Sequence, residues 1–547
     1  MNNLKLNKMI AVVIMASMTL SMTNAVSAEY YITDVDTSEK GNVTYAPGVT
    51  AEMTKTSYWS ARTYTDADKV MMTAEEINEI NEKAVNTKAT NMYNLEDLDG
   101  EYNADTLSSS LTKESIPSDD VYIDGKMVDK GAYFGGLKDA ISNTGFTGTR
   151  DVSYAICVKG ADIKSWPEYK FVGYDVADTD DEFVLSSLTV NEPFVVKQKA
   201  VVNGHTFYWG FSNIVTGWVD GDNIAFCSDK EEWTRNWKVT NGNKDFIVVT
   251  QDKIVLEPSI YAAYSSEVKL KFGTVLKLVK KEDMPRNIAE RATWNNYVVY
   301  LPTRNDEGML ETKMALISEH CNVSVGFLPM TQRNIIDVSL QCLGNRYGWG
   351  GMLDSMDCSL FTRNVYKCFG FELPRNTNWQ KYIPGTCTNL SGMNVDEKQA
   401  YLETMPAGTL LYMRGHTMIY LGSEEHTGYV ISDLGTVADS DVGSGIFSVQ
   451  SVAITPLTVQ RKDFTTWLSN LTDAVVFKIP VPEEETAVMT VVNPLTATIL
   501  GIIAAHESVS VSKVAGAVLV LSALFIYNMV TGAEDPEGTA GKKEQYS

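Results

Sequence analysis

Two residues in the second half of the chain could together perform nucleophilic catalysis. Cys358 follows a glycine-rich run that opens at Tyr347, and it begins a segment whose apolar residues recur at helical spacing. His416 lies further along, at the start of a run typical of a buried strand. A cysteine attacks as the thiolate, so a helix N-terminus and a nearby imidazole, which lower the thiol pKa, would both activate it. The pattern predicts Cys358 as nucleophile and His416 as general base.

The other cysteines and histidines favour a structural interpretation. A free cysteine usually behaves as a small buried hydrophobe, and a lone histidine usually satisfies its hydrogen bonds inside the fold. That interpretation is given to Cys157, Cys227, Cys321, Cys342, Cys368, Cys387, His205, His320, His426 and His506.

Residues 330–480 resemble the NlpC family of bacterial cell-wall endopeptidases, which are papain-like cysteine hydrolases. The resemblance rests on the Tyr347-Gly-Trp-Gly-Gly run, Asp357 before Cys358, the Leu373-Pro374-Arg375 segment with Gln380, and His416 in a His-x-x-x-Tyr-Leu-Gly strand. It implies hydrolysis of γ-D-glutamyl-L-diamino-acid bonds in peptidoglycan stem peptides, which are the expected partner. It also implies that no metal and no cofactor is needed.

The third catalytic residue departs from the family pattern. Ser432 falls on the position that the family uses to orient the base, and Asp433 is its neighbour. By strand alternation Asp433 should point to the opposite face. A serine hydroxyl stabilises an imidazolium less than a carboxylate would, so a weaker third member at Ser432 is predicted, with a structural serine as the alternative.

The resemblance implies a substrate-binding set of Tyr347, Arg375, Asn376, Thr377 and Gln380. Many relatives carry an Asp-Ser pair where this chain has Asn376 and Thr377. An amide forfeits the charge-assisted hydrogen bond to a free amine, so strict recognition of a free amino end stays open. Arg375 and Gln380 either contact substrate or hold the loop.

Composition indicates a multidomain soluble protein. The chain has 547 residues, 44% of them hydrophobic, and a formal net charge of -23 at pH 7. This acidity makes nucleic acid or an anionic membrane surface a poor partner. Seven scattered cysteines argue against a disulfide framework.

The fold class that these patterns predict is multidomain. An α+β papain-like NlpC catalytic domain at 326–480 follows two small all-β segments at 126–240 and 241–325, which resemble bacterial SH3-like barrels. A short N-terminal helical clip region at 29–125 includes a helix that starts at Thr73 with a capping box.

Both ends of the chain carry apolar runs. Residues 1–28 are typical of a cleaved signal peptide, because basic residues precede a short apolar run and small residues close it. Residues 481–547 begin as a linker, and the apolar run at 514–530 predicts a transmembrane anchor, with an amphipathic or oligomerising helix as the alternative. The protein is therefore expected to be exported to the periplasm, cell wall or exterior and tethered to the membrane.

Three functional hypotheses remain open from sequence. The first is a peptidoglycan endopeptidase that works through Cys358. The second is a catalytically idle peptidoglycan-binding protein, and the third is a cysteine amidase or acyl transferase on another envelope amide.

Overall fold

The computed structural model describes residues 43–63, 65–439 and 445–479. The predicted signal peptide and the apolar run at 514–530 lie outside these residues. Within the described part of the chain, no helix is both long enough and apolar enough to cross a membrane.

The N-terminal residues pack on the C-terminal part of the molecule. The helix Ala74–Val85 starts at Thr73 with the predicted capping box, in which Glu76 also takes part. Its Ile77 and Ile80 enter a large apolar cluster together with Trp59 and residues of the C-terminal sheet. Helices here and immediately downstream are Thr56–Ser60, Ala74–Val85, Ala104–Leu111 and Lys130–Ser142, with short 3-10 turns at Ala51–Thr54, Lys88–Thr90 and Leu95–Asp97.

The first β region is a seven-stranded antiparallel sheet with two free edges. Its strands in spatial order are Ile224–Phe226, Ser153–Cys157, Pro193–Val202, His205–Phe211, Thr216–Asp220, Ala161–Lys164 and Val184–Leu188. Because the order does not return on itself, the sheet is open and the predicted SH3-like barrel is not confirmed.

The second β region consists of a three-stranded sheet and separate hairpins. The sheet joins Val275–Lys277, Phe246–Val249 and Val323–Val325. The hairpins pair Lys253–Val255 with Lys269–Lys271, Asn287–Ile288 with Arg291–Ala292, and Asn296–Arg304 with Leu310–Ser318. No sheet in the described part of this region is closed, so the second predicted barrel is not confirmed either.

Small elements connect these regions. A two-stranded sheet pairs Glu101–Asn103 with Thr149–Asp151. In a three-stranded sheet, Tyr122–Ile123 is the central strand and pairs with both Lys126–Met127 and Val172–Gly173. The helix Lys230–Trp237 and the 3-10 turns Gly221–Asn223 and Lys281–Asp283 complete the upstream part.

The C-terminal region is α+β, as the sequence predicts. Its six-stranded antiparallel sheet has the order Thr386–Asn389, Asp473–Val476, Leu410–Met413, His416–Glu424, Thr427–Ala438 and Ile446–Pro456. The helices of the region are Gln332–Leu340, Cys358–Lys367, Thr377–Gln380, Val395–Leu402 and Trp467–Asn470, with a 3-10 segment at Trp349–Asp354.

The sheet separates two apolar clusters. Ile419 and Ile431 face one cluster, which contains Phe361 and Val365 of the helix Cys358–Lys367. Met418, Val430 and Leu434 face the other cluster, together with Trp467. The first cluster also takes in Phe246 and Phe272 of the second β region, so burial of apolar area from three parts of the chain fixes the helix Cys358–Lys367 in place.

Candidate active site

Cys358 is the first residue of a helix that is buried along its whole length. The helix Cys358–Lys367 starts because Asp357 is its N-cap, and the Asp357 carboxylate accepts the Leu360 backbone N–H at 2.9 Å. Cys358 itself is only 8% exposed. We call this element the nucleophile helix.

A buried ion pair holds the start of the nucleophile helix. Arg375 Nη2 lies 2.5 Å from Asp357 Oδ2, and Arg375 Nη1 lies 3.1 Å from Oδ1. The same guanidinium donates to Ser359 Oγ at 2.8 Å and, through Nε, to Ser186 Oγ at 2.8 Å. Burial by itself would raise the pKa of Asp357, but the Arg375 charge and these hydrogen bonds bring that pKa below its usual value. The ion pair therefore ties the helix start to the first β region.

The glycine loop before Cys358 is packed tightly against that same region. Gly350 and Gly351 have φ of 67° and 92°, which side-chain-bearing residues rarely adopt. A Cβ on Gly350 would lie 2.4 Å from Val184 Cγ1, and one on Gly351 would lie 2.2 Å from Ser187 Oγ. Glycine is therefore required here by both backbone conformation and space.

The second β region holds the end of the same loop. Lys269 Nζ lies 2.6 Å from Asp354 Oδ2, and Lys271 Nζ lies 3.7 Å from Oδ1. Lys253 Nζ donates to the Asp354 carbonyl at 3.2 Å. Burial raises the pKa of Asp354, but its hydrogen bond to Lys269 and the lysine charges reverse this effect, so the pKa lies below its usual value. Both β regions thus contact the loop that precedes the nucleophile.

His416 is the first residue of the strand His416–Glu424, and the backbone N–H of its neighbour Thr417 donates to the Cys358 sulfur. Its Nε2 lies 3.0 Å from Ser432 Oγ, and its ring centroid lies 5.0 Å from that of Trp467. With Nε2–H donated to Ser432, Nδ1 is the nitrogen left to accept a proton. The structure therefore places Ser432 where the predicted third member would act.

Cys358 and His416 line one cavity of about 570 Å³. Cys358 Sγ lies 3.9 Å from Thr377 Oγ1. Within the described part of the chain, no hydrogen bond joins Cys358 directly to His416. Further residues of the lining are Tyr347, Met413, Arg414, Leu434, Arg461 and Trp467.

Burial disfavours the charged forms of both partners. It raises the pKa of the Cys358 thiol to about 12, and the Asp357 charge acts in the same direction, against hydrogen bonds from Thr417 and Thr377. It lowers the pKa of His416 to about 4, with a further contribution from the Arg461 charge. Thiol and imidazole are therefore both neutral in the free protein. The sequence predicted a lowered thiol pKa, and the buried carboxylate at the N-cap is one reason why the structure differs.

Asp433 takes no part in orienting His416. Its side chain is fully buried, and neither carboxylate oxygen has a hydrogen-bond partner among the described residues. Burial raises its pKa to about 8, and the charges of Asp357 and Asp252 act in the same direction. Ser432, not Asp433, contacts the imidazole.

The predicted substrate-binding residues separate into two groups. Tyr347 lines the cavity, and Thr377 contacts Cys358. Arg375 is buried in its ion pair, and Gln380 is buried with its amide donating to the Ser359 and Pro374 carbonyls at 2.8 and 3.0 Å. Asn376 is exposed as N-cap of the helix Thr377–Gln380 and lies outside the cavity lining.

Most of the cavity lining was missed from sequence, including Arg414, Arg461 and Trp467. Arg414 is adjacent to the His416 turn, whereas Arg461 lies in a distant loop and Trp467 begins the helix that follows this loop. No spacing rule connects that loop to His416, so only the fold shows their proximity. Among the described residues, no group of His, Cys, Asp and Glu side chains is arranged to hold a metal ion.

A cysteine at a helix start and a histidine on the facing sheet, lining one cavity, are typical of cysteine hydrolases. Residues 344–438 match the model of the NlpC/P60 family, so the chain contains an NlpC/P60 domain. That family consists in general of cysteine peptidases and amidases, and its endopeptidases act on peptidoglycan. The comparison with curated proteins found no match.

Solved structures similar to this chain include an NlpC/P60 endopeptidase from Photobacterium damselae subsp. piscicida. The identity is 15%, the TM-score is 0.56, and the match covers 76% of this chain and 96% of that one. An NlpC/P60 family protein from Bacillus cereus ATCC 10987 matches at 16% identity and a TM-score of 0.35, over 54% of this chain and 83% of that one. The first match covers far more than residues 344–438, so the shared fold includes upstream β structure.

Proposed function

We propose that this protein is an exported cysteine endopeptidase that cleaves the γ-D-glutamyl-L-diamino-acid bond of peptidoglycan stem peptides. The observation that carries the proposal is the shared cavity, with Cys358 at a helix start on one side and His416 bound to Ser432 on the other. The NlpC/P60 domain supports the substrate class. Export rests on the signal-like pattern of residues 1–28.

In the proposed reaction Cys358 Sγ attacks the amide carbonyl carbon while its proton passes to His416 Nδ1. The resulting imidazolium is stabilised by the Ser432 hydroxyl at Nε2 and then protonates the leaving amine. Water hydrolyses the thioester, with His416 again as base. A neutral Cys358 thiol and a neutral His416 imidazole suit this order of reaction steps, because the proton moves only when the substrate carbonyl is in place.

The nucleophile helix also offers donors for the oxyanion. The first N–H groups of a helix have no partner inside it, and Asp357 takes those of Leu360 and Phe361. The amides of Cys358 and Ser359 are left at the helix start, where the positive end of the helix dipole favours a developing negative charge.

The buried residues are proposed to position the site without contacting substrate. Arg375 and Gln380 fix the turn after the nucleophile helix, whereas Tyr347 and Thr377 are free to contact the stem peptide. We further propose that the two β regions are opened relatives of SH3-like barrels, because both consist of short antiparallel strands joined by turns.

A catalytically idle peptidoglycan-binding protein is the second candidate. The missing direct hydrogen bond between Cys358 and His416 in the described part favours it, since Cys358 contacts Thr377 and His416 contacts Ser432 instead.

Mass spectrometry of peptidoglycan fragments separates these functions. The full chain and its Cys358→Ala variant are each incubated with free stem peptides and with sugar-linked stems. Release of a dipeptide that ends in D-glutamate by the unchanged chain alone supports the endopeptidase. Release of whole stems from sugar indicates an amidase, and absence of any Cys358-dependent product indicates the binding protein.

A further inference from the structure

The first β region contains a lysine that is buried together with its carboxylate partner. Lys164 ends the strand Ala161–Lys164 and is 7% exposed, and Asp181 is 5% exposed. Lys164 Nζ lies 2.7 Å from Asp181 Oδ2 and also donates to the Lys170 carbonyl at 2.9 Å. The proposed hydrolysis uses neither side chain. Since burial of an ammonium and a carboxylate is costly, this pair calls for a physical reason.

The lysine lies on an apolar face of the seven-stranded sheet. Lys164 is directly opposite Trp218 on the neighbouring strand, so both side chains point to the same face. Trp218, Trp166 and Phe183 belong to one buried apolar cluster. Little water reaches the pair, and burial of this kind favours an uncharged amine and an uncharged carboxylic acid over two ions.

A second buried carboxyl group lies beside the pair. Glu168 is 2% exposed, and its Oε1 accepts the Lys170 N–H at 3.0 Å while its Oε2 accepts the Tyr133 hydroxyl at 3.0 Å. The carbonyl of the same Lys170 accepts from Lys164 Nζ, so the backbone of one residue connects Glu168 to the amine. A carboxyl group held in this way can relay a proton between the amine and Asp181.

Comparison with a second buried lysine pair shows how Asp181 differs. Burial raises the pKa of Glu192, but the charges of Lys367 and Arg363 bring that pKa below its usual value, so Glu192 is an ionised carboxylate. Asp181 forms an ion pair with Lys164 alone among the described residues, and burial outweighs that charge and raises its pKa. A neutral lysine amine is a nucleophile, and it attacks an uncharged carboxyl carbon more readily than the electron-rich carbon of a carboxylate.

We propose that an intramolecular isopeptide bond joins Lys164 to Asp181 in the folded protein. Lys164 Nζ attacks the Asp181 carboxyl carbon, so that one N–C bond forms and one C–O bond breaks. The departing oxygen leaves as water with two protons of the original ammonium. One proton passes directly when the pair becomes neutral, and Glu168 relays the second from the nitrogen to the leaving oxygen. The step changes no oxidation state, needs no co-reactant and is independent of hydrolysis at Cys358.

The bond lies under the loop that precedes the nucleophile. The Asp181 N–H donates to Met352 Sδ at 3.4 Å, and the neighbouring Gly350 packs on Val184. The two linked residues are 17 positions apart, and a covalent link over this separation restricts the unfolded chain. The bond therefore braces the surface of the first β region on which the glycine loop packs.

Peptide mapping of the full chain by mass spectrometry tests the proposal without an activity assay. The denatured chain is digested with trypsin, which does not cleave after a lysine whose amine is part of an amide. We expect residues 160–170 and 171–197 to remain joined as one branched peptide, lighter than the two free peptides together by one water molecule. Lys367 and Glu192 should be unlinked in the same digest, which provides an internal control.

Variants test the chemistry of the bond. Lys164→Arg keeps the positive charge but has no amine to condense, so the branched peptide should be absent. Glu168→Gln removes the proton relay, and the linked fraction should fall from nearly complete to minor. Lys170→Arg, at an exposed ion pair with Asp124 in the same region, is the matched control and should retain the link.

The unchanged chain decides the proposal even if a variant fails to fold. Cleavage after Lys164, with the resulting peptides and the peptide 171–197 at their full masses, would show that the pair is only an ion pair and overturn the proposal. A link from Lys164 to a residue other than Asp181 would overturn it as well. Equal linkage in Glu168→Gln and in the unchanged chain would overturn the role of Glu168 as relay.

Discussion

The two sides of the cavity are built in different ways. On the nucleophile side, Asp357 and Arg375 form a buried ion pair that reaches Ser186 of the first β region. On the base side, the His416 side chain has, among the described residues, one hydrogen bond, to Ser432, and one ring contact, to Trp467. The nucleophile side is held by the buried Asp357–Arg375 ion pair, and the base side is held by the neutral Ser432 hydroxyl and the Trp467 ring.

This difference explains the protonation of the pair. Burial is the main cause that raises the pKa of the Cys358 thiol, and the buried Asp357 carboxylate that starts the nucleophile helix adds to it, while the Arg375 charge acts in the opposite direction. On the base side no carboxylate among the described residues accepts from the imidazole, and burial keeps His416 neutral. The Asp357–Arg375 ion pair therefore makes the nucleophile side rigid, whereas His416 on the base side supplies the group that accepts the proton.

The largest effect is expected from breaking the ion pair on the nucleophile side. Arg375→Gln leaves the Asp357 charge buried without its partner, which costs about 3–5 kcal/mol of folding free energy. Hydrolysis should be lost as well, because Asp357 and Ser359 lose their anchor to the first β region. Urea unfolding of the variant and of the unchanged chain measures the change.

Arg235→Gln is the matched control for that substitution. Arg235 pairs with Glu231 at 3.6 Å, with side chains 63% and 88% exposed, so its loss should cost at most about 1 kcal/mol. Equal destabilisation by both substitutions would show that the buried ion pair does not hold the nucleophile helix.

A smaller effect is expected on the base side. Ser432→Ala removes the hydrogen bond at His416 Nε2, and we expect kcat to fall about tenfold with little change in the unfolding free energy. Steady-state kinetics on a free stem peptide checks this. Ser423→Ala, at a serine near the far end of the strand His416–Glu424, serves as control, and an equal fall in both variants would remove Ser432 from the mechanism.

The smallest effect concerns pH. His416 must be neutral to accept the thiol proton, so kcat/KM should fall as pH drops through about 4, the pKa of this imidazole. Arg461→Gln removes a charge that lowers this pKa, so the acid limb should move to higher pH by a fraction of a unit. A pH–rate profile measures the shift, and an unchanged or lower limb would contradict the placement of Arg461 beside His416.

The amino-acid sequence predicted those helices and strands correctly whose position depends on neighbouring residues in the chain. The helical spacing of Leu360, Phe361 and Val365 after Cys358 predicts the nucleophile helix, and the structure has this helix at Cys358–Lys367. The strand that begins at His416 and the α+β character of the C-terminal region were also predicted correctly.

What sequence could not give depends on contacts between distant segments. Arg375 contacts Ser186 across 189 positions, and Trp467, at the start of the helix Trp467–Asn470, contacts the His416 ring. The predicted barrels are not confirmed, because short strands with turns predict antiparallel pairing without predicting closure. The pKa of the Cys358 thiol is raised where the sequence predicted a lowered value. The reason is again contact between distant segments, because burial by these segments outweighs the lowering effect of the helix N-terminus.

A double-mutant comparison of Cys358 and His416 tests most directly whether the two sides work as one catalytic unit. The rate of stem-peptide cleavage is measured for Cys358→Ala, for His416→Ala and for both together, with His426→Ala at an exposed histidine as control. We predict that each single variant loses as much activity as the double variant, because residues that act as a unit are not additive, and that His426→Ala retains activity. Cleavage that persists in His416→Ala, or losses that add, would contradict the account.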